Sequence, residues 1–153
     1  MYRMLTVAIA AIAALVMARS AYADRVYYIH NDPGGLVLEY RSKYAQVSAG
    51  YDRVVIDGRC KSACTMVLGI VPLDRICITS RGYFMFHAAH MSNGDRTFNG
   101  RGTQTMMGAY APEVRDWVMA HHALDQVDPY TTLYARDVTF VRHCGSGKSG
   151  ALR

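Results

Sequence analysis

The chain is 153 residues long, with 51% hydrophobic and 19% charged residues and a formal net charge of +5. That length suits one compact domain with a real core, and no internal repeat or second domain is visible. The basic residues are scattered rather than clustered, which argues against nucleic acid as a partner.

The first segment reads as an export signal rather than as fold. Arg3 gives a short basic start, residues 5–17 are almost wholly apolar, and Ala21-Tyr22-Ala23 has the form of a signal-peptidase site. The apolar run is shorter than the roughly 20 residues of a membrane span. Residues 1–23 are therefore expected to be a signal peptide and the protein periplasmic or secreted, with an uncleaved N-terminal membrane anchor as the alternative. Setting aside Arg3 and Arg19 takes the net charge from +5 to +3.

Residues 25–30 (R-V-Y-Y-I-H) are β-branched and aromatic, and the turn residues 31–35 follow, so a strand leaves the sheet into a tight loop. Leu36, Val37, Tyr40, Tyr44 and Val47 are spaced for one face of a helix over 36–48. Residues 53–57 (R-V-V-I-D) form a second strand, continuous enough to be buried on both faces. Residues 62–70 are small and apolar, as in a helix packed tightly into a core. Third and fourth strands are expected at 75–79 and 83–87.

Residues 90–105 are polar and glycine-rich, with Asn93-Gly94 and Asn99-Gly100 as turn signals, so a loop is expected there. Behind Pro112, the positions Val114, Trp117, Val118 and His121 predict a helix over 110–122. Residues 130–141 are ambiguous, and 145–153 read as a disordered tail. Strands alternating with helices predict a single α/β layered domain over 24–144, with a mostly parallel sheet and βαβ crossovers.

Four cysteines, Cys60, Cys64, Cys77 and Cys144, follow the export signal. An even count there predicts two disulfides, with three connectivities open. The rival is a metal site from Cys60, Cys64, His87 and His90, whose spacing matches no common zinc pattern. Neither a metal nor a cofactor is expected.

Three segments carry candidate chemistry. Pro33-Gly34-Gly35 sits between a strand and a helix, where glycine amides can approach an anion; the bland alternative is an ordinary βα turn. Ser62 opens the small-residue helix, where a nucleophile is held rigidly and the Ala63 amide is beside it; the bland alternative is a helix N-cap. His87 ends an apolar strand, a setting that suits a partly buried base, although core histidines are commoner. Lys61 adjoins Ser62, so its side chain is expected to point elsewhere.

The run Y-I-H-N-D-P-G-G, the V-V-I-D-G strand, the serine turn and F-M-F-H resemble the proteolytic subunit of the Clp protease and the wider ClpP/crotonase superfamily. The resemblance covers residues 26–87 well and the rest loosely. It implies a ClpP/crotonase-like fold and a serine peptidase, with Ser62 as nucleophile and His87 as base. The oxyanion hole would come from the amides of Gly34, Gly35 and Ala63. Asp137, in Arg136-Asp137, would be the third catalytic member, with Asp125 and Asp128 as alternatives. Substrates would be peptides or proteins, and the resemblance implies a homo-oligomer. No ATPase partner is expected outside the cytoplasm. A serine between two cysteines departs from the family pattern, so a catalytically inactive binding or assembly module is the competing expectation.

Overall fold

Strand β2 (Arg53–Lys61) is the axis of the sheet, and its Val54, Val55 and Ile56 are all buried. The computed structural model describes residues 24–92 and 96–145. The expected signal peptide at 1–23 and the tail beyond Gly145 lie outside the described residues. Strand β1 (Val26–Asp32) runs parallel to β2 along one edge. On its other edge β2 has two successive parallel partners, β3 (Ile76–Ile78) and then β4 (Tyr83–Phe86). Strand β5 (Thr131–Tyr134) joins β4 antiparallel, and β6 (Arg142–His143) joins β3 in parallel. The outcome is a curled, mixed six-stranded sheet whose pairings are mostly parallel.

The change of partner along β2 occurs at a bulge. β1 advances from Ile29 to Asn31 while β2 advances from Ile56 to Arg59. Gly58 is needed in this stretch, because a β-carbon there would stand 1.7 Å from the His30 carbonyl oxygen. Bulges bend and twist the strand that carries them. The first half of β2, Val54 to Ile56, therefore pairs with β3, and Arg59 to Lys61 pair with β4. That arrangement puts Ser62, just past β2, beside the end of β4, where His87 follows.

Helix α1 (Val37–Gly50) buries Tyr44 and Val47, with Val37 and Tyr40 half-buried against the core. Leu36, expected on that face, is instead 53% exposed. The helix expected over 62–70 is not continuous. A 3₁₀ turn, Ser62–Met66, leads into the single turn α2 (Val67–Ile70), where Leu68 and Gly69 have non-helical dihedrals. The chain kinks because Leu68 gives its carbonyl to the Ala111 amide at 3.0 Å, a tertiary bond that competes with the helix.

The loop expected over 90–105 holds the start of a helix, α3 (Gly100–Ala109). Asn99, read as a turn signal, is its N-cap: the side chain accepts from the Gly102 amide at 2.9 Å. Burial of Met106 outweighs the poor helix propensity of the glycines. Helix α4 (Pro112–Ala120) buries Val114 and Val118 as the spacing predicts. Its Trp117 lies 5.2 Å from Phe86, ring to ring, closing the core behind β4. The ambiguous stretch at 130–141 contains β5 and a 3₁₀ turn, Ala135–Asp137.

All four cysteines are paired, Cys60 with Cys64 and Cys77 with Cys144. The second bridge fastens β6, near the C-terminus, to β3. Two disulfides fit an oxidising extracellular or periplasmic environment. Cys60 and Cys64 are thereby unavailable as metal ligands. Among the described residues no helix is long and apolar enough to cross a membrane.

Candidate active site

Ser62 stands where β2 ends and the 3₁₀ turn begins, with φ of 58°. For a residue with a β-carbon, that left-handed conformation costs about 1–2 kcal/mol. Its surroundings hold it there. Thr65 Oγ1 donates to the Ser62 carbonyl at 2.7 Å and lies 2.6 Å from the buried Tyr110 hydroxyl. The Cys60–Cys64 disulfide spans the same turn. Ser62 is not a helix cap, since Lys61 holds the N-cap position and no side chain caps this turn. Among the described residues the Ser62 hydroxyl has no hydrogen-bond partner.

The Pro33-Gly34-Gly35 loop is fastened by Asp32. The Asp32 carboxylate accepts from the Gly34 amide at 2.9 Å, from Lys43 Nζ at 2.6 Å and from the Tyr40 hydroxyl. Burial pushes the Asp32 carboxyl up, but these hydrogen bonds and the Lys43 charge outweigh it and hold it below the usual range. Gly34 has φ of 79°, in the region glycine favours. Its amide is therefore occupied. The Gly35 amide has no acceptor among the described residues, so it is the donor this loop offers to a ligand. Ala63 is fully buried, and its amide nitrogen would lie 3.2 Å from a β-carbon placed on Gly34.

His87 follows the buried Phe86 at the end of β4 and is itself only 2% exposed. Neither ring nitrogen has a hydrogen-bond partner among the described residues. Tyr130 meets the ring edge-on at 4.7 Å between centroids, and the His90 ring lies at 6.0 Å. Burial, reinforced by electrostatic interaction with His90, Lys61 and Arg96, lowers the His87 pKa to about 4, while Asp128 opposes the shift. At neutral pH the ring is therefore uncharged, and one nitrogen carries a free lone pair.

Gly34, Gly35, Ser62 and His87 all line one cavity of about 760 Å³. The serine and the histidine share this space without a hydrogen bond between them. Asp137 is not brought to the site. β5 runs antiparallel to β4, with Thr131 opposite Phe86 and Tyr134 opposite Tyr83. His87 therefore follows one end of β4, while Asp137 lies past the other. There it is exposed and paired with Arg136 at 3.4 Å. Asp125 is also on the surface, against His122. Of the three aspartates, only Asp128 acts on His87, and its carboxylate pairs with Arg96 at 2.7 Å.

Three contributors escaped the sequence reading. Lys61 lines the cavity beside Ser62, with Nζ 5.0 Å from the Tyr130 ring centroid. The expectation that neighbours point apart holds along a regular strand, and the left-handed turn at Ser62 ends that regularity. Tyr130 comes from a stretch with no recognisable pattern. Asp32 is in the N-D-P-G-G run, where its carboxylate reads as turn chemistry; Tyr40 and Lys43, eight and eleven residues on, were the available signal. No protein-family model matches the chain, and no curated protein matches it.

Proposed function

We propose that this protein is an exported serine hydrolase of the ClpP/crotonase-like kind, acting on peptide or protein substrates. The carrying observation is the strained backbone at Ser62, which faces the same cavity as a buried, uncharged histidine whose nitrogens have no partner among the described residues. Strain of this kind is retained where the surrounding structure over-determines it, and nucleophile turns are one such place.

In this reading Ser62 Oγ attacks the substrate carbonyl carbon while His87 takes its proton. The Gly35 amide donates to the developing oxyanion, and Gly34 shapes the loop rather than donating; Ala63, fully buried, does not line the cavity. His87 then protonates the leaving amine, and water, deprotonated by the same ring, releases the acyl group from Ser62. One oxyanion donor of this type supplies about 2.7–4 kcal/mol of transition-state stabilisation.

The second reading, a binding or assembly module without turnover, is favoured by one observation. Among the described residues no carboxylate is hydrogen-bonded to His87, so none of them fixes its tautomer. A fluorophosphonate probe separates the two. The hydrolase reading expects labelling at Ser62 that disappears in Ser62→Ala. An oxidised, folded protein that stays unlabelled at this serine supports the binding module.

A further inference from the structure

We propose that the cavity at Ser62 selects substrates carrying a carboxylate next to an apolar group, that is, acidic peptides over neutral or basic ones. This deepens the hydrolase reading and rests on it for turnover.

The first support is the charge of the walls. Among the described residues, Lys61, Arg96 and Arg101 line the cavity, with Glu39 as the one carboxylate. Arg96 is already paired with Asp128 at 2.7 Å, and it also donates to the Tyr130 hydroxyl at 3.0 Å. Lys61 and Arg101 have no carboxylate within ion-pair distance among the described residues. Two cations facing a shared space with no described carboxylate in ion-pair contact invite an anion.

The second support is independent of charge. His87 is 2% exposed, lines the cavity and has no partner for either nitrogen among the described residues. A buried polar group without a partner is destabilising, and a ligand oxygen or N–H relieves that on binding. Lys61 and His87 are also aligned with each other. Lys61 is opposite Met85 in the β2–β4 pairing, and His87 comes two residues later, on the same face by strand alternation. The Tyr130 ring touches both, at 5.0 Å from Lys61 Nζ and 4.7 Å from the His87 ring.

The third support fixes the apolar half of the ligand. Leu36, Leu38 and Met91, exposed by 53%, 71% and 45%, line this same cavity. Single exposed apolar side chains are ordinary; three on the walls of one cavity form a contact surface for an apolar side chain.

The test uses three pools of internally quenched octapeptides with one fixed Leu and an adjacent residue that is Glu, Gln or Lys. The other positions are random over neutral residues. We expect kcat/KM for the Glu pool to exceed that for the Gln pool about tenfold, the ratio one charge-assisted hydrogen bond supplies. Arg101→Gln and Lys61→Met should each bring that ratio toward unity. Arg101 is exposed, so its variant keeps the test valid if Lys61→Met fails to fold. Equal turnover of all three pools overturns the proposal and leaves the hydrolase reading standing. If no pool is cleaved, the hydrolase reading fails, and fluorescence anisotropy with labelled pools decides the proposal. Tighter binding of the Glu pool supports it; equal binding, or none, overturns it.

Discussion

Gly34 and Ser62 are packed backbone to side chain: a β-carbon on Gly34 would stand 2.7 Å from the Ser62 β-carbon and 2.5 Å from the Lys61 carbonyl oxygen. The loop after β1 and the turn after β2 are therefore seated directly against each other. Gly34→Ala should push them apart, and its φ of 79° adds strain of its own. We expect a loss of about 2–4 kcal/mol in urea unfolding and loss of fluorophosphonate labelling. Gly35→Ala should cost less, because its added carbon meets only the Tyr40 ring, at 3.0 Å.

Ser62 itself separates stability from chemistry. Ser62→Gly relieves the left-handed strain and should raise stability by about 0.5–1 kcal/mol, after the added freedom of the unfolded chain is counted. Ser62→Ala keeps the strain and loses only an unpartnered hydroxyl, so its stability should stay within about 0.5 kcal/mol of the parent. Both should lose labelling. A Ser62→Gly protein clearly less stable than Ser62→Ala would contradict the account of strain.

His87 predicts acid sensitivity. Its folded pKa of about 4 lies below the ordinary 6.5, so between these values the unfolded chain binds a proton that the native protein refuses. Stability therefore rises with pH across that window, and acidification from 7 to 4 should cost up to about 3 kcal/mol. His87→Phe should flatten this slope in urea melts taken from pH 4 to 7. The groups around the ring, Lys61, His90, Arg96, Asp128 and Tyr130, remain in that variant. In activity, the free enzyme should lose its base only as pH falls through about 4, so kcat/KM should be level from pH 6 to 7 on this account.

The two disulfides should fail differently. Cys77–Cys144 links residues 67 apart in sequence, whereas Cys60–Cys64 links residues 4 apart. Loop-closure entropy assigns about 4 kcal/mol to the first and about 2 to the second. Removing the long bridge with paired alanines should lower Tm more. Removing the short one should cost more labelling at Ser62, because that bridge spans the serine turn. Equal effects on labelling would mean that the short bridge does not hold the turn.

Much of the fold was legible along the chain. β1 to β4 lie where runs such as V-V-I and Y-F-M-F put them, because buried strands are apolar and end at turn residues. α4 follows from Val114 and Val118 behind Pro112. α3 was hidden, since its glycines weaken the local signal and only burial of Met106 together with the Asn99 cap reveals it. The continuous helix expected at 62–70 was lost to a bond from Ala111 that no local pattern announces.

For the site, the same division holds. Ser62, His87 and the two glycines were found because each ends or follows a strand, and strand ends can be read from local composition. The disulfide count likewise follows from four cysteines behind an apolar N-terminal run. Pairing across the chain decided the rest. The antiparallel register of β5 against β4 carried Asp137 to the far end of the strand from His87. Asp32 occupied the Gly34 amide and left that of Gly35. The left-handed turn at Ser62 put that serine on the same cavity as Lys61, its neighbour. Local sequence encodes where elements start and stop; which ends meet, and which polar atoms are left without partners, depends on contacts between residues far apart in the chain.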